Sequence, residues 1–351
     1  MRATLEPFDL PLTPPLVTAR EQLDRRRGFL VRLGRSPTGF GDAAPLVPFT
    51  EPRSETRAAL ERAVRAAAEA GPHEALQAVS ATDEGRLRFP AARHAISLAL
   101  LDRQAKQTGE SLARRLGGST SGPVSVNATV GDGSPAATAE AVATAVDAGF
   151  ETVKVKVGKQ PVEADLDPLR AIREAVASAV AIRVDANGAW DRSAAERFLE
   201  GASSLDLEAV EQPLPADRGP AHAALRSFDP AIALDESLAV TALDELLDAG
   251  AADRYVLKPT ALGGVDVALG AATSVRRAGA TPVISSIFES VVGRTAAVHL
   301  AAALGELPAC GLATGDRFGE DLAPDPAPVV AGAIEAPTGP GIGIEEVSTD
   351  G

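Results

Sequence analysis

Residues 152–157 read Thr152-Val153-Lys154-Val155-Lys156-Val157, a run in which valine and lysine alternate. Alternation at period two marks a β-strand, with residues two apart on one face. The valines suit packing against helices, so the lysines turn the other way, into the interior. Buried lysines are tolerated only if neutralised, deprotonated or paired. On either side of this run, short apolar segments alternate with Ala-rich helical patterns. The segments are residues 124–129, 152–157, 181–185, 209–211, 231–235, 255–258, 282–285 and 310–312. Eight strands alternating with helices predict an α/β fold, a (β/α)8 TIM-like barrel. A doubly wound sheet is the alternative. It calls for a Gly-rich phosphate turn after its first strand, and Asn127-Ala128-Thr129-Val130-Gly131-Asp132-Gly133 is not of the form G-x-G-x-x-G.

Strands of a parallel barrel are buried on both faces and should read as continuous apolar runs. Five consecutive strands break that rule near their carboxyl ends, at Lys156, Asp185, Glu211, Asp235 and Lys258. One ionisable residue per strand–helix unit places all five at one mouth, the end where this fold carries its active sites. Three carboxylates from adjacent strands, Asp185, Glu211 and Asp235, make a hard oxygen site suited to Mg2+, with Mn2+ an acceptable substitute. No histidine or cysteine takes part, which disfavours zinc. Lys156 precedes the carboxylates and Lys258 follows them, so the two stand on opposite sides. A lysine beside a divalent cation and a second ammonium gives up its proton more readily and can serve as a base. A carboxylate substrate held between them could lose its α-proton, with the metal stabilising the enediolate.

Composition narrows the field. The chain has 351 residues and a formal net charge of −14, the wrong sign for a nucleic-acid partner. No run of about 18 apolar residues is free of charge, so no membrane span is expected. The amino terminus shows no apolar signal segment, and a cytoplasmic location is the expectation. A single cysteine, Cys310, excludes an internal disulfide framework. Aromatic residues make up only 3%, too few for base-stacking platforms. The expected partner is a small carboxylate; oligomeric state is not legible.

Residues 1–118 read differently from the barrel. Residues 29–33 form a short apolar strand, residues 39–45 look like a loop, and helical patterns follow over 55–70, 90–107 and 111–116. With a Pro- and Gly-rich tail over 320–351 that returns to it, this stretch predicts an α+β capping domain. The catalytic barrel is then 119–319. Arg25-Arg26-Arg27 reads as a solvated turn, and the four histidines lack ligand spacing.

The motifs Lys154-Val155-Lys156, Asp185-x-Asn187, Glu211-Gln212-Pro213, Asp235-Glu236-Ser237 and Lys258-Pro259 with Gly263-Gly264 resemble those of the enolase superfamily, muconate-lactonising subgroup. The resemblance covers nearly the whole chain. Within the subgroup, Val126-Asn127 and Ser285-Ser286-Ile287-Phe288-Glu289-Ser290 with Gly293 are most similar to the o-succinylbenzoate synthase family. That family's implied reaction is the dehydration of SHCHC, a hydroxylated succinyl-cyclohexadiene carboxylate, in menaquinone biosynthesis. By the same resemblance Lys156 is the base and then the acid, and Lys258 stabilises the enediolate by its charge. Asp185, Glu211 and Asp235 hold Mg2+. Lys154, Asn187 and Glu236 support them. Asn127, Ser285 and Ser286 contact substrate. An N-acylamino acid racemase or epimerase of the same superfamily is the first alternative, a Schiff-base lysine aldolase the second, and a non-catalytic binding barrel the third.

Overall fold

The computed structural model describes residues 1–17, 22–83, 85–118, 122–131, 133–176 and 178–349. Strands are β1 (Ala3–Val17), β2 (Gln22–Leu33) and β3 (Gly39–Ala43); a hairpin of β4 (Thr82–Asp83) and β5 (Arg86–Leu87); then β6 (Val124–Ser125), β7 (Ala128–Val130), β8 (Thr152–Lys156), β9 (Ala181–Asp185), β10 (Leu207–Glu211), β11 (Ala231–Leu234), β12 (Arg254–Leu257), β13 (Thr281–Ile284), β14 (Val329–Val330) and β15 (Ala333–Ile334).

Strands β7 to β13 pair in chain order as one parallel sheet. Its two edges meet through the segment at Cys310-Gly311, which bridges Val126 on one side and Ser285 on the other. Gly311 N donates to Ile284 O (2.9 Å) and Cys310 N to Ser125 O (2.7 Å), closing the sheet into a TIM-like barrel. The eighth strand is thus a pair of bridges, shorter than the sequence suggests. The expected first strand over 124–129 divides in two. Val124–Ser125 pairs antiparallel with β15, Val126 bridges the eighth strand, and Ala128–Val130 pairs with β8.

The outer helices show why the sheet is covered. In Val162–Ala175 the buried residues Val162, Leu166, Leu169 and Ile172 recur every three or four positions, a single stripe facing the strands. Each such leucine contributes about 1.5–3 kcal/mol on burial. Asp191 and Ser134 cap their helices by accepting from Ala194 N and Ala137 N. No helix among the described residues is long and apolar enough to cross a membrane.

The capping domain is a three-stranded antiparallel sheet, β1-β2-β3, against the helices Arg53–Glu69 and Pro90–Thr108. Its own core joins Phe29, Val31 and Leu33 to Ala59, Leu60, Ala63 and Ile96. Residues 39–43, expected as a loop, form the fully buried strand β3. Gly39 and Gly41 lie so close to the helix Pro90–Thr108 that a Cβ would come within 2.0 Å of Ala99 O and Ala95 O. Those glycines serve close packing rather than a turn. The tail touches this domain as well: Ile342 N donates to Asp102 and Arg32 to Val347 O.

Candidate active site

Strand register sets the mouth. Lys156 lies opposite Asp185, and Asp185 opposite Glu211, on β8, β9 and β10. Val153 and Val155 are buried against the helices, while the lysines turn into the barrel. Lys154 Nζ donates to Asp185 Oδ2 and Glu211 Oε1, both at 3.0 Å. Lys156 Nζ donates to Asp185 Oδ2 at 2.6 Å and Asn187 Oδ1 at 2.9 Å. Across the mouth, Lys258 Nζ donates to Asp235 Oδ2 at 2.6 Å. Asn187 stands at φ +46°. Its backbone N–H reaches Asp185 Oδ1 (3.0 Å) and its amide donates to Glu236 Oε1 (2.8 Å). Six of these predicted mouth residues, Lys154, Lys156, Asp185, Asn187, Glu211 and Glu236, therefore form one connected network, and Lys258 with Asp235 forms a separate pair.

The charges do not balance. Four carboxylates, Asp185, Glu211, Asp235 and Glu236, meet three ammonium groups. Burial opposes the charged form of Lys154, yet Asp185, Glu211 and Asp235 outweigh it and raise the ammonium above the usual lysine range. Burial likewise works against ionised Asp185, but Lys154 and Lys156 hold it well below the usual carboxylate range. The other three acids go the opposite way, Glu236 through burial and the neighbouring Asp185 charge. Burial, with the neighbouring Asp185 charge, pushes Glu211 up to about 7. Burial pushes Asp235 up to about 6 in spite of Lys258. Asp235 Oδ1 and Glu236 Oε2 are buried with no hydrogen-bond partner. Orphaned buried oxygens are costly and call for an ion, a proton or a ligand.

A hard divalent cation fits this donor set: all-oxygen, carboxylate-rich and short of positive charge. Lys154 and Lys258 occupy oxygens of these carboxylates, and among the described residues no three acidic, histidine or cysteine side chains converge to grip a cation as they stand.

The three expected substrate contacts are less uniform. Ser285 and Ser286 are buried beside the eighth strand, where Ser285 Oγ meets Gly311 O and Ser286 Oγ meets Thr314 Oγ1 (3.2 Å). Asn127 turns its amide to its own strand, toward Ala128 O and Thr129 Oγ1.

Two residues at the mouth were unassigned from sequence. Gln212, at φ +42° and fully buried, accepts from Asp235 N and Ser237 N through Oε1 and donates to Ser237 Oγ. It fixes the backbone that carries Asp235, and its place in Glu211-Gln212-Pro213 was the available signal. Phe49, from the capping domain, lays its ring 3.8 Å from Lys258 Nζ. No local pattern marks it. Arg26 corrects the reading of a solvated turn: it lies within β2 and is 3% exposed.

With this geometry in view, comparison with known proteins is informative. Residues 137–348 match the family model "Enolase C-terminal domain-like". The chain belongs to the enolase superfamily. The o-succinylbenzoate synthase of Thermobifida fusca is 42% identical over 216 residues, 60% of this chain and 66% of that protein, just under two thirds of the relative's length. Among superfamily structures, the dipeptide epimerase of Enterococcus faecalis, complexed with Mg and the dipeptide L-Leu-L-Tyr, superposes with a TM-score of 0.87 at 26% identity, over 98% of this chain and 99% of that one. The N-succinyl Arg/Lys racemase of Bacillus cereus gives a TM-score of 0.88 at 26% identity, covering 100% and 96%. This superfamily member thus resembles both lyases and racemases.

Proposed function

We propose that the protein is a Mg2+-dependent carbon–oxygen lyase of the cytoplasm that dehydrates SHCHC to o-succinylbenzoate, a step of menaquinone biosynthesis. The observation that carries this reading is the pair of lysines facing each other across the carboxylates, Lys156 on Asp185 and Lys258 on Asp235. The similarity to the Thermobifida synthase supports the choice of substrate.

Asp185, Glu211 and Asp235 would hold the metal, and bound Mg2+ would supply positive charge beside the substrate carboxylate. Lys156, as the neutral amine, takes the α-proton and becomes the ammonium. Its hydrogen bond to Asn187 Oδ1 aims the ammonium, and Asn187 is itself held by Glu236. The proton then goes from Lys156 to the departing hydroxyl on the neighbouring carbon, so water leaves and the ring becomes aromatic. Lys258, gripped by Asp235 and roofed by Phe49, supplies fixed positive charge to the carboxylate as it gains electron density. Lys154 keeps Asp185 and Glu211 together, Gln212 places Asp235, and the Ser285 and Ser286 hydroxyls receive the succinyl arm.

A racemase of N-acylamino acids is the second reading, favoured by the same opposed lysines and by the likeness to the Bacillus cereus racemase. Purified protein assayed side by side on SHCHC and on N-succinyl amino acids decides between them. Activity should vanish with EDTA and return with Mg2+. Full activity without metal would sink the lyase and racemase readings together and revive a Schiff-base lysine.

A further inference from the structure

We propose that Arg26, on the capping sheet, is a positioning residue that sets the wall closing the mouth over Lys258; this rests on the reading that substrate binds between Lys156 and Lys258. Its guanidinium is buried and donates to three backbone carbonyls. Nη2 reaches Ala44 O (2.7 Å) and Nη1 reaches Pro45 O (3.2 Å), where β3 leaves the capping sheet. Nε reaches Phe288 O (3.0 Å), on the barrel loop that follows Ser285 and Ser286. One rigid fork therefore holds a segment from each domain, a task suited to planar guanidinium geometry.

Both segments bear on the mouth. From Pro45 the chain runs into a closed turn, with Thr50 N donating to Leu46 O (3.1 Å) and Leu46 N to Thr50 Oγ1 (2.8 Å). Its exit is fixed by Glu51, which accepts from Ala91 N and Ala92 N at the start of the helix Pro90–Thr108. A turn pinned at entry, waist and exit can hold Phe49 in one place over Lys258. On the barrel side, Phe288 stands at φ +62°, a left-handed conformation that a bulky residue adopts only when its surroundings impose it. Arg26 holds its carbonyl, while Glu289 accepts from Ile287 N (2.8 Å) and Ser290 Oγ donates to Asp42 Oδ2 (2.7 Å). Removing Arg26 frees the entry of the turn and the carbonyl of the strained residue together.

The test combines kinetics and amide exchange. Arg26→Gln is too short to span three carbonyls and should raise KM for SHCHC roughly tenfold, with kcat within about threefold and the Mg2+ requirement unchanged. Arg26→Lys, which can reach some of the carbonyls, should recover part of the loss. Because Arg26 acts through Phe49, Phe49→Ala should raise KM similarly, and the double variant should exceed the larger single effect by less than about twofold. Amide exchange should quicken over residues 44–51 and 286–290 and nowhere else. An unchanged KM, additive KM effects or faster exchange throughout the barrel would each overturn the proposal. If the wild type fails to turn over SHCHC, the functional reading falls, and the exchange pattern of Arg26→Gln, which needs no substrate, still decides the role of Arg26.

Discussion

Strands β9, β10 and β12 carry charge toward both ends. At the lower end Arg183 Nε meets Glu208 Oε2 (2.5 Å), Arg183 Nη1 meets Ala309 O (2.6 Å), and Arg254 Nη1 meets the other Glu208 oxygen (2.9 Å). Burial disfavours the Glu208 anion, but the two guanidiniums outweigh burial and hold it below the usual carboxylate range. At the upper end the carboxylates exceed the lysines, three of them are pushed up, and two oxygens are orphaned. The lower cluster pairs its anion with two cations, although Arg183 Nη2 and Arg254 Nη1 lack a hydrogen-bond partner; the upper cluster is short of positive charge and calls for something added. The same strands can thus carry a stabilising lower end and a reactive upper end.

The largest effects are expected at the incomplete end. Lys156→Ala should reduce turnover by roughly 10²–10⁴-fold, the usual contribution of a positioned acid–base group. Lys156→Arg cannot lose its proton near neutrality and should be as poor. Lys258→Arg keeps a cation and should retain measurable rate. The two arginine variants keep the cation and should leave the urea midpoint nearly unchanged, whereas Lys156→Ala takes a partner from buried Asp185 and should lower it. Equal residual rates for the two arginine variants would contradict the division of labour.

Glu208→Gln is the opposite experiment. It leaves two neighbouring guanidiniums in a mostly buried site without an anion. The expected loss is about 3 kcal/mol of stability, the scale seen on breaking buried pairs, with per-molecule turnover in the folded fraction kept. Urea unfolding and active-site titration separate the two. A stable but inactive Glu208→Gln would erase the contrast between the ends.

The contrast also explains what was legible in the sequence. Charges at strand ends stand out because a parallel barrel strand is otherwise apolar, so Lys156, Asp185, Glu211, Asp235 and Lys258 could be found by position alone. Residues whose work depends on contacts distant in the chain could not. Arg26 lies 262 positions from Phe288. Its neighbours Arg25 and Arg27 do bind Asp9 at the surface, so the triplet looked uniformly solvated. Only the period-two pairing of Arg26 with Gly28 and Leu30 on one buried face of β2 would have separated it. Phe49 and Gln212 were hidden likewise, one by its domain and the other by an ordinary side chain at φ +42°.

A smaller effect follows from the charge excess. In metal-free protein Asp235 and Glu211 have folded values of about 6 and about 7, above their ordinary ones. A group raised on folding stabilises fully below its unfolded pKa, and that stabilisation is lost as pH rises through the folded value. The depressed Asp185 acts in a window below its ordinary value and does not enter here. Stability in EDTA should therefore fall between pH 5 and pH 8, with Asp42 and Asp321, pushed up by burial to about 8 and about 6, adding to the same trend. Saturating Mg2+ should reduce that slope by the part due to Glu211 and Asp235, since the ion favours their anions. Urea midpoints with and without Mg2+ measure the difference, and identical slopes would argue against a cation at these carboxylates.

The smallest expected effect lies within the mouth, between its two lysines. Dehydration of SHCHC is intrinsically favourable because the product is aromatic; it needs one base, Lys156, and one fixed charge. Racemisation demands that the α-carbon sit within proton reach of Lys156 and Lys258 alike, with the acyl arm immobilised. The two lysines are not held alike. Lys156 has Asn187 and Asp185 as partners, whereas Lys258 is gripped by Asp235 and lies against the Phe49 ring, contacts that suit a stationary ammonium. To exchange a proton with an α-carbon, Lys258 must give up part of that hold. Dehydration should therefore have the higher kcat/KM, by at least roughly tenfold, or about 1.4 kcal/mol at the transition state. Proton–deuterium exchange at the α-carbon of an N-succinyl amino acid in D2O, followed for each enantiomer, is the sensitive measure. Exchange of both enantiomers as efficient as dehydration would show that Lys258 moves as freely as Lys156, and would put racemisation first. If Phe49→Ala narrowed the gap by speeding exchange of one enantiomer only, the ring would be identified as what holds Lys258 to its electrostatic role.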